Sequence, residues 1–166
     1  IAQTWLGFVG PGVASQPDLH VWTDHTDVRP TMLALLGLHD SYQADGHVVT
    51  QALVPGAVPG AMKSNQSTVE ALADAYKQIN APFGQFGLAM VAASTTALQA
   101  DDTTYNTIEA SIVSLNGRRD ALALPIRAAF DAAAFSGTPI DSTQAQTWIT
   151  AAQSLLTDAA TLASGH

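Results

Sequence analysis

The alternation of apolar and polar positions divides the chain near residue 55. From Ser67 onward apolar residues recur every three or four positions, which is the period of helices with one buried face. Val69, Leu72, Tyr76 and Ile79 share one such face, in a helix that a Ser67–Glu70 capping box would open and Asn80-Ala81-Pro82 would end. A second helix carries Phe83, Phe86 and Met90 and runs to about residue 100. A third follows Asp101-Asp102, with Tyr105, Ile108, Ile112, Leu115, Ile126 and Phe130 in register. Pro125 lacks a backbone donor and predicts a kink there. The last helix begins near Asp141 or Ser142, carries Trp148, Ala152, Leu155 and Leu162, and closes at Gly165. Alanine at many facing positions permits close approach, so residues 67–166 read as an antiparallel bundle of about four helices.

Residues 1–54 carry a different pattern, a mixed α/β one. TWLGFVGPGV has the β-branched and aromatic content of a strand and ends in the turn signal Gly10-Pro11-Gly12. Asp27 is placed to cap a helix holding Pro30, Met32, Leu33, Leu35 and Leu36, which Gly37 stops. Tyr42 to Val49, around Asp45-Gly46, suggests a short extended segment. A Pro/Gly-rich joint, PGAVPGAMKSNQ at 55–66, links the two parts. The expected class is mainly α, a short α/β remnant followed by a helical bundle, with no repeat of fixed period.

Charge narrows the function classes. The net charge is −8 and charged residues make up only 12% of the 166 positions. A pI near 4.7 and six scattered basic residues argue against nucleic acid or an anionic membrane surface as partner. No apolar run approaches the roughly 20 residues needed to span a bilayer, and the start IAQTWLGFVG has no basic leader region. A chain that begins with Ile predicts a processed or partial polypeptide. The absence of cysteine excludes disulfides and thiolate metal sites.

Candidate chemistry concentrates in residues 18–27, where Asp18, His20, Asp24, His25 and Asp27 could be imagined around a divalent cation. The spacing matches neither the HExxH zinc helix nor the alternating aspartates of a calcium loop. Asp27 has a simpler use as a helix cap, and Thr23 or Thr26 as turn hydrogen-bonders, so the stretch reads as scaffold. His39 can bond the last carbonyls of the helix before it, His47 lies in the extended stretch and His166 is terminal. Asn65-Gln66-Ser67 matches a glycosylation sequon. Arg118-Arg119-Asp120 reads as a solvated face, and Trp5, Trp22 and Trp148 as packing anchors. No catalytic, cofactor-binding or metal-ligating residue is assigned in this chain.

GFVGPGV followed by WTDHTDVRPTMLALLGL resembles the closing part of the catalytic domain in the alkaline phosphatase superfamily, which includes type I phosphodiesterases and sulfatases. The pattern there is a late strand, a Gly-Pro turn and a TDxTDlxPTxxxLLGL helix. It is matched by Gly10, Pro11, Thr23, Asp24, Thr26, Asp27, Pro30, Thr31 and the run Leu35-Leu36-Gly37-Leu38. Tyr42 and Asp45-Gly46 are similar to the Y-x-x-D-G that ends many such domains. The likeness covers about residues 4–53.

It implies a parent hydrolase that uses a Thr, Ser or modified Cys nucleophile and Asp and His ligands to divalent, zinc-like metal. All of these would lie upstream of Ile1, and this piece would complete the fold. His25 corresponds to a position often held by Gln and is not implied as a ligand. The partner implied is the N-terminal catalytic part of the same protein, covalent or cleaved, and the location extracytoplasmic or cell-surface. The alternative is a structural subunit that assembles through the helices at 101–135 and 142–163 into a homo-oligomer or filament, with no chemistry of its own.

Overall fold

The computed structural model of the protein describes residues 6–15 and 19–165. Among them the architecture is mainly helical: α1 (Val28–Leu36), a short α2 (Gly60–Lys63), α3 (Gln66–Asn80), α4 (Gln85–Ala97), α5 (Asp102–Phe135) and α6 (Ser142–Ala163). None of these is both long and apolar enough to cross a membrane.

Local chemistry sets the helix ends. Asp101 Oδ1 accepts from the Thr104 amide at 2.8 Å, and Asp141 Oδ1 accepts from the Gln144 amide at the same distance, so each caps its helix. Gly37 turns left-handed at φ 64° and ends α1, with Leu38 N–H bonded to the Leu33 carbonyl and Gly37 N–H to that of Ala34. α5 rises about 51 Å at 1.5 Å per residue. It continues through Pro125, where a kink was expected. Pro125 and Ala121 are both exposed, so the carbonyl that the proline leaves without a donor can be met by water.

The helices pack around two adjoining apolar clusters. The first joins Val48, Leu53 and Met62, from the region before α3, to Leu72, Ile126 and Phe130. The second joins Ile79, Phe86, Met90, Leu115 and Leu155. Late α5 meets early α6 in the first cluster, through Phe130 and Ala145. Early α5 meets late α6 in the second, through Leu115 and Ala159, so this pair is antiparallel. Each fully buried residue of the size of Leu72 or Ile126 is worth about 1.5–3 kcal/mol. Trp148 packs against the first cluster, as expected of an anchor. On the outer faces, hydroxyls of Thr95, Thr107, Thr147 and Thr157 donate back to carbonyls four residues earlier, at 2.9–3.0 Å.

Three expectations are corrected. No strand occurs among the described residues of 1–54; the chain turns at Gly10–Gly12, and Val13 beyond the turn makes one isolated antiparallel bridge, to Leu53. β structure needs a paired neighbour, and the chain supplies that segment with only a two-residue contact. The Ser67–Glu70 capping box does not form. α3 begins at Gln66 after Asn65, and Glu70 Oε1 instead accepts from Thr50 Oγ1 and Gln66 Nε2, both at 2.9 Å. Asp27 stands at the N-cap position of α1 but its side chain makes no cap bond there; it closes instead the capping box that Asp24 opens around a 3-10 turn over His25–Asp27. Trp5, Asp18 and His166 lie outside the described residues.

Candidate functional site

The sequence TDHTD folds into a capping box. Asp24 Oδ1 accepts from the Thr26 amide at 2.8 Å, and Asp27 Oδ2 accepts from the Asp24 amide at 3.0 Å. This turns both carboxylates inward, where Asp27 is fully buried and Asp24 partly so. His25 between them is exposed, and so is His20. The two histidines and two aspartates therefore do not converge.

What lies between the carboxylates is the ammonium group of Lys77, reaching across from α3. Its Nζ is 2.8 Å from Asp27 Oδ2 and 3.0 Å from Asp24 Oδ2. Thr26 Oγ1 is a further neighbour at 3.4 Å. Lys77 is only 2% exposed, and a buried charge needs this kind of partner set. The second oxygen of Asp27 accepts from the His47 amide at 2.9 Å, and Thr31 Oγ1 accepts from the Val49 amide at 3.1 Å. One carboxylate thus holds the 3-10 turn, the 46–49 segment and α3 together.

Gly46 makes that approach possible. A Cβ on it would stand 2.3 Å from the Thr26 carbonyl carbon and oxygen, inside any permitted contact. The Asp45-Gly46 pair is therefore a close-packing device. Asp45 is fixed on both sides: its carbonyl accepts from Tyr76 Oη at 3.0 Å and its carboxylate pairs with Arg127 at 2.6 Å.

The buried imidazole of His47 lies against Phe130 at 5.2 Å between ring centroids. Nδ1–H donates to the Val48 carbonyl at 3.0 Å, and Nε2 stands 4.0 Å from Asp27 Oδ1. Burial pulls its pKa below 6.5, and the opposing pull of the Asp27 charge is weaker, so the ring is neutral. For Asp24 burial is the largest single influence and acts upward. The hydrogen bonds from Thr26 and Lys77 together outweigh it, and its carboxyl titrates below 3.8. Burial also pushes the Tyr76 hydroxyl well above 10.0. The Lys77 ammonium group and both carboxylates thus have partners from the chain, which is the chemistry of a structural lock.

The other singled-out residues are spread apart. Asn65 donates to the Ile140 carbonyl at 3.3 Å and so ties the start of α3 to the turn before α6. Arg118 pairs with Asp158 of α6 at 2.7 Å, and the Arg119 guanidinium lies over the Phe86 ring at 5.8 Å. His39 stacks on Phe135 at 4.8 Å instead of bonding the end of α1. Lys77 had no place among the sequence candidates. Its signal was the row Val69-Ala73-Lys77, which continues the buried face of α3 with a charge.

No protein-family description, curated protein or solved structure matches this chain.

Proposed function

We propose that residues 1–54 are the closing piece of a metal-dependent phosphoesterase-like hydrolase of the alkaline phosphatase superfamily, whose catalytic centre lies outside this chain. The helices from Gln66 onward extend it as an interaction module. The observation that carries this reading is where apolar side chains stay open. Val9 is 100% exposed, Leu36 64%, Leu38 54% and Met32 49%. α1 buries only Pro30 and Thr31, although most of its residues are apolar. A helix with one face on the protein and a second apolar face free is what a missing neighbour leaves behind. The backbone from Leu6 to Val9 makes no backbone hydrogen bond among the described residues, so it is free to join a sheet edge.

On this reading the N-terminal catalytic part, continuous or cleaved, supplies the nucleophile and the Asp and His ligands to zinc-like metal. The TDHTD lock fixes the angle at which the helices leave the hydrolase domain, and the protein acts outside the cytoplasm. Intact mass and peptide mapping of the natural polypeptide upstream of Ile1 test it. A contiguous or co-purifying portion with a His and Asp metal set, and a chelator-sensitive phosphodiesterase activity, is the expected result. A natural polypeptide that starts at Ile1 with no such partner refutes it.

A row along α4 and its C-cap favours the non-catalytic assembly reading: Leu88, Val91 and Leu98 are 51%, 66% and 78% exposed. α6, named in that reading, contributes no exposed large apolar residue among those described. Sedimentation of the chain with Val91→Glu decides it; loss of an oligomer supports assembly through α4, and an unchanged monomer removes it.

A further inference from the structure

A cavity of about 230 Å³ lies between α1, the 39–48 loop and the second half of α5. It is separate from the Lys77 lock, although His47 contributes to both. Leu33, Val48, Phe130 and Ala134 give it an apolar lining, and Phe135 joins them with His39 stacked on its ring. The charged groups that line it are Arg29, Arg127, Asp40 and Asp131.

These four are not equivalent. Arg29 donates to Asp40 and lies 4.4 Å over the Tyr42 ring. Arg127 Nη1 is held by Asp45 Oδ1 at 2.6 Å. Each guanidinium is paired through one nitrogen with a carboxylate, which offsets its charge and weakens its pull on an anion. Asp131 makes no side-chain hydrogen bond among the described residues. Its ion-pair contact there is His39 Nε2 at 3.8 Å, beyond hydrogen-bond distance. The cavity therefore combines aromatic rings with one carboxylate to which no described residue donates, a pairing that favours an organic cation over an anion.

We propose that this cavity binds a small organic ammonium compound, its apolar body against Phe130 and Phe135 and its charged nitrogen on Asp131. Size limits the class. An apolar cavity of about 150 Å³ holds benzene, so this one takes about nine non-hydrogen atoms. The net charge of −8 raises the local concentration of cations around the mouth. The assignment does not rest on the hydrolase reading and survives its failure.

Phenethylammonium and 2-phenylethanol have the same number of non-hydrogen atoms and differ in charge, so they isolate the role of Asp131. The full chain is titrated with each by NMR at about pH 8, where an imidazole is neutral. The expected result is shifts at Phe130, Phe135 and Leu33, with the ammonium binding about tenfold tighter than the alcohol. Asp131→Asn keeps the volume of a 38%-exposed side chain, leaves the fold intact and removes the preference. Asp158→Asn, an equal change of charge on α6, leaves it unchanged. Equal binding of the two probes, shifts elsewhere, no binding of either, or an equal loss with Asp158→Asn would each overturn the assignment.

Discussion

Replacing Lys77 by methionine keeps the aliphatic stem and removes the ammonium group. The side chains of Lys77 and Asp27 are 3% and 1% exposed and that of Asp24 is 21% exposed, so solvent cannot take over the screening. Removing one partner from a buried pair leaves an uncompensated charge and costs about 3–5 kcal/mol. Against a total stability of about 5–15 kcal/mol that is a large share. With a urea slope of about 2 kcal/mol per molar, the midpoint drops by about 1.5–2.5 M. Urea titration followed by far-ultraviolet circular dichroism reads this, with the exposed Lys63→Met as control, expected within about 0.5 kcal/mol. Combining Lys77→Met with Asp27→Asn should cost less than the sum of the two single changes, because the orphaned charge is gone. A Lys77→Met midpoint within about 0.3 M of the parent would show that the ammonium group is not desolvated between the carboxylates, and the lock would have to be abandoned.

Acid should weaken the fold in two stages. Above about pH 6.5 His47 is neutral in both states. Below it the unfolded chain takes up a proton that the folded chain refuses, so stability falls by about 1.4 kcal/mol per pH unit until the lowered folded value is reached. Asp24 adds a second loss below about pH 3.8, and melting temperatures of the parent and His47→Gln between about pH 8 and 5 should differ mainly in the slope of the first stage. Gly46→Ala should cost at least about 1–3 kcal/mol by calorimetry, because its Cβ meets the Thr26 backbone at 2.3 Å; a neutral result would mean the loop does not sit there. Pro125→Ala should stabilise by up to about 3 kcal/mol in thermal melts, since it restores a helical hydrogen bond on an exposed face. A loss of stability would show that the proline is needed for packing.

The four long helices were legible because each repeats its apolar face over many turns and three of the four lie beside clear stop or start signals. Asp101-Asp102 announced α5, Asp141 or Ser142 announced α6, and Gly37 announced the end of α1. Boundaries set by distant contacts were not legible. Glu70 looked like a capping partner, but Thr50, twenty positions away, takes its carboxylate. The α/β reading of residues 1–54 failed for a related reason. β-branched content signals a surface that suits a strand, and only a neighbour in space makes it one. TDHTD was read as scaffold, and the partner of its Asp24 lies 53 positions on, as a lysine on an otherwise apolar helix face. A single charged residue there looks like an interruption until its counter-charges are placed.

The Lys77 lock has a consequence for dividing this protein at the proline-rich joint. A polypeptide cut after residue 54 would carry α3 with a lysine facing its own apolar interior and both of its carboxylates left on the other fragment. Such a fragment must admit water beside Tyr76 and Ile79. The two halves are therefore obligate companions: mixing the separated pieces should restore near-neutral stability only when the Asp24–Asp27 segment is among them.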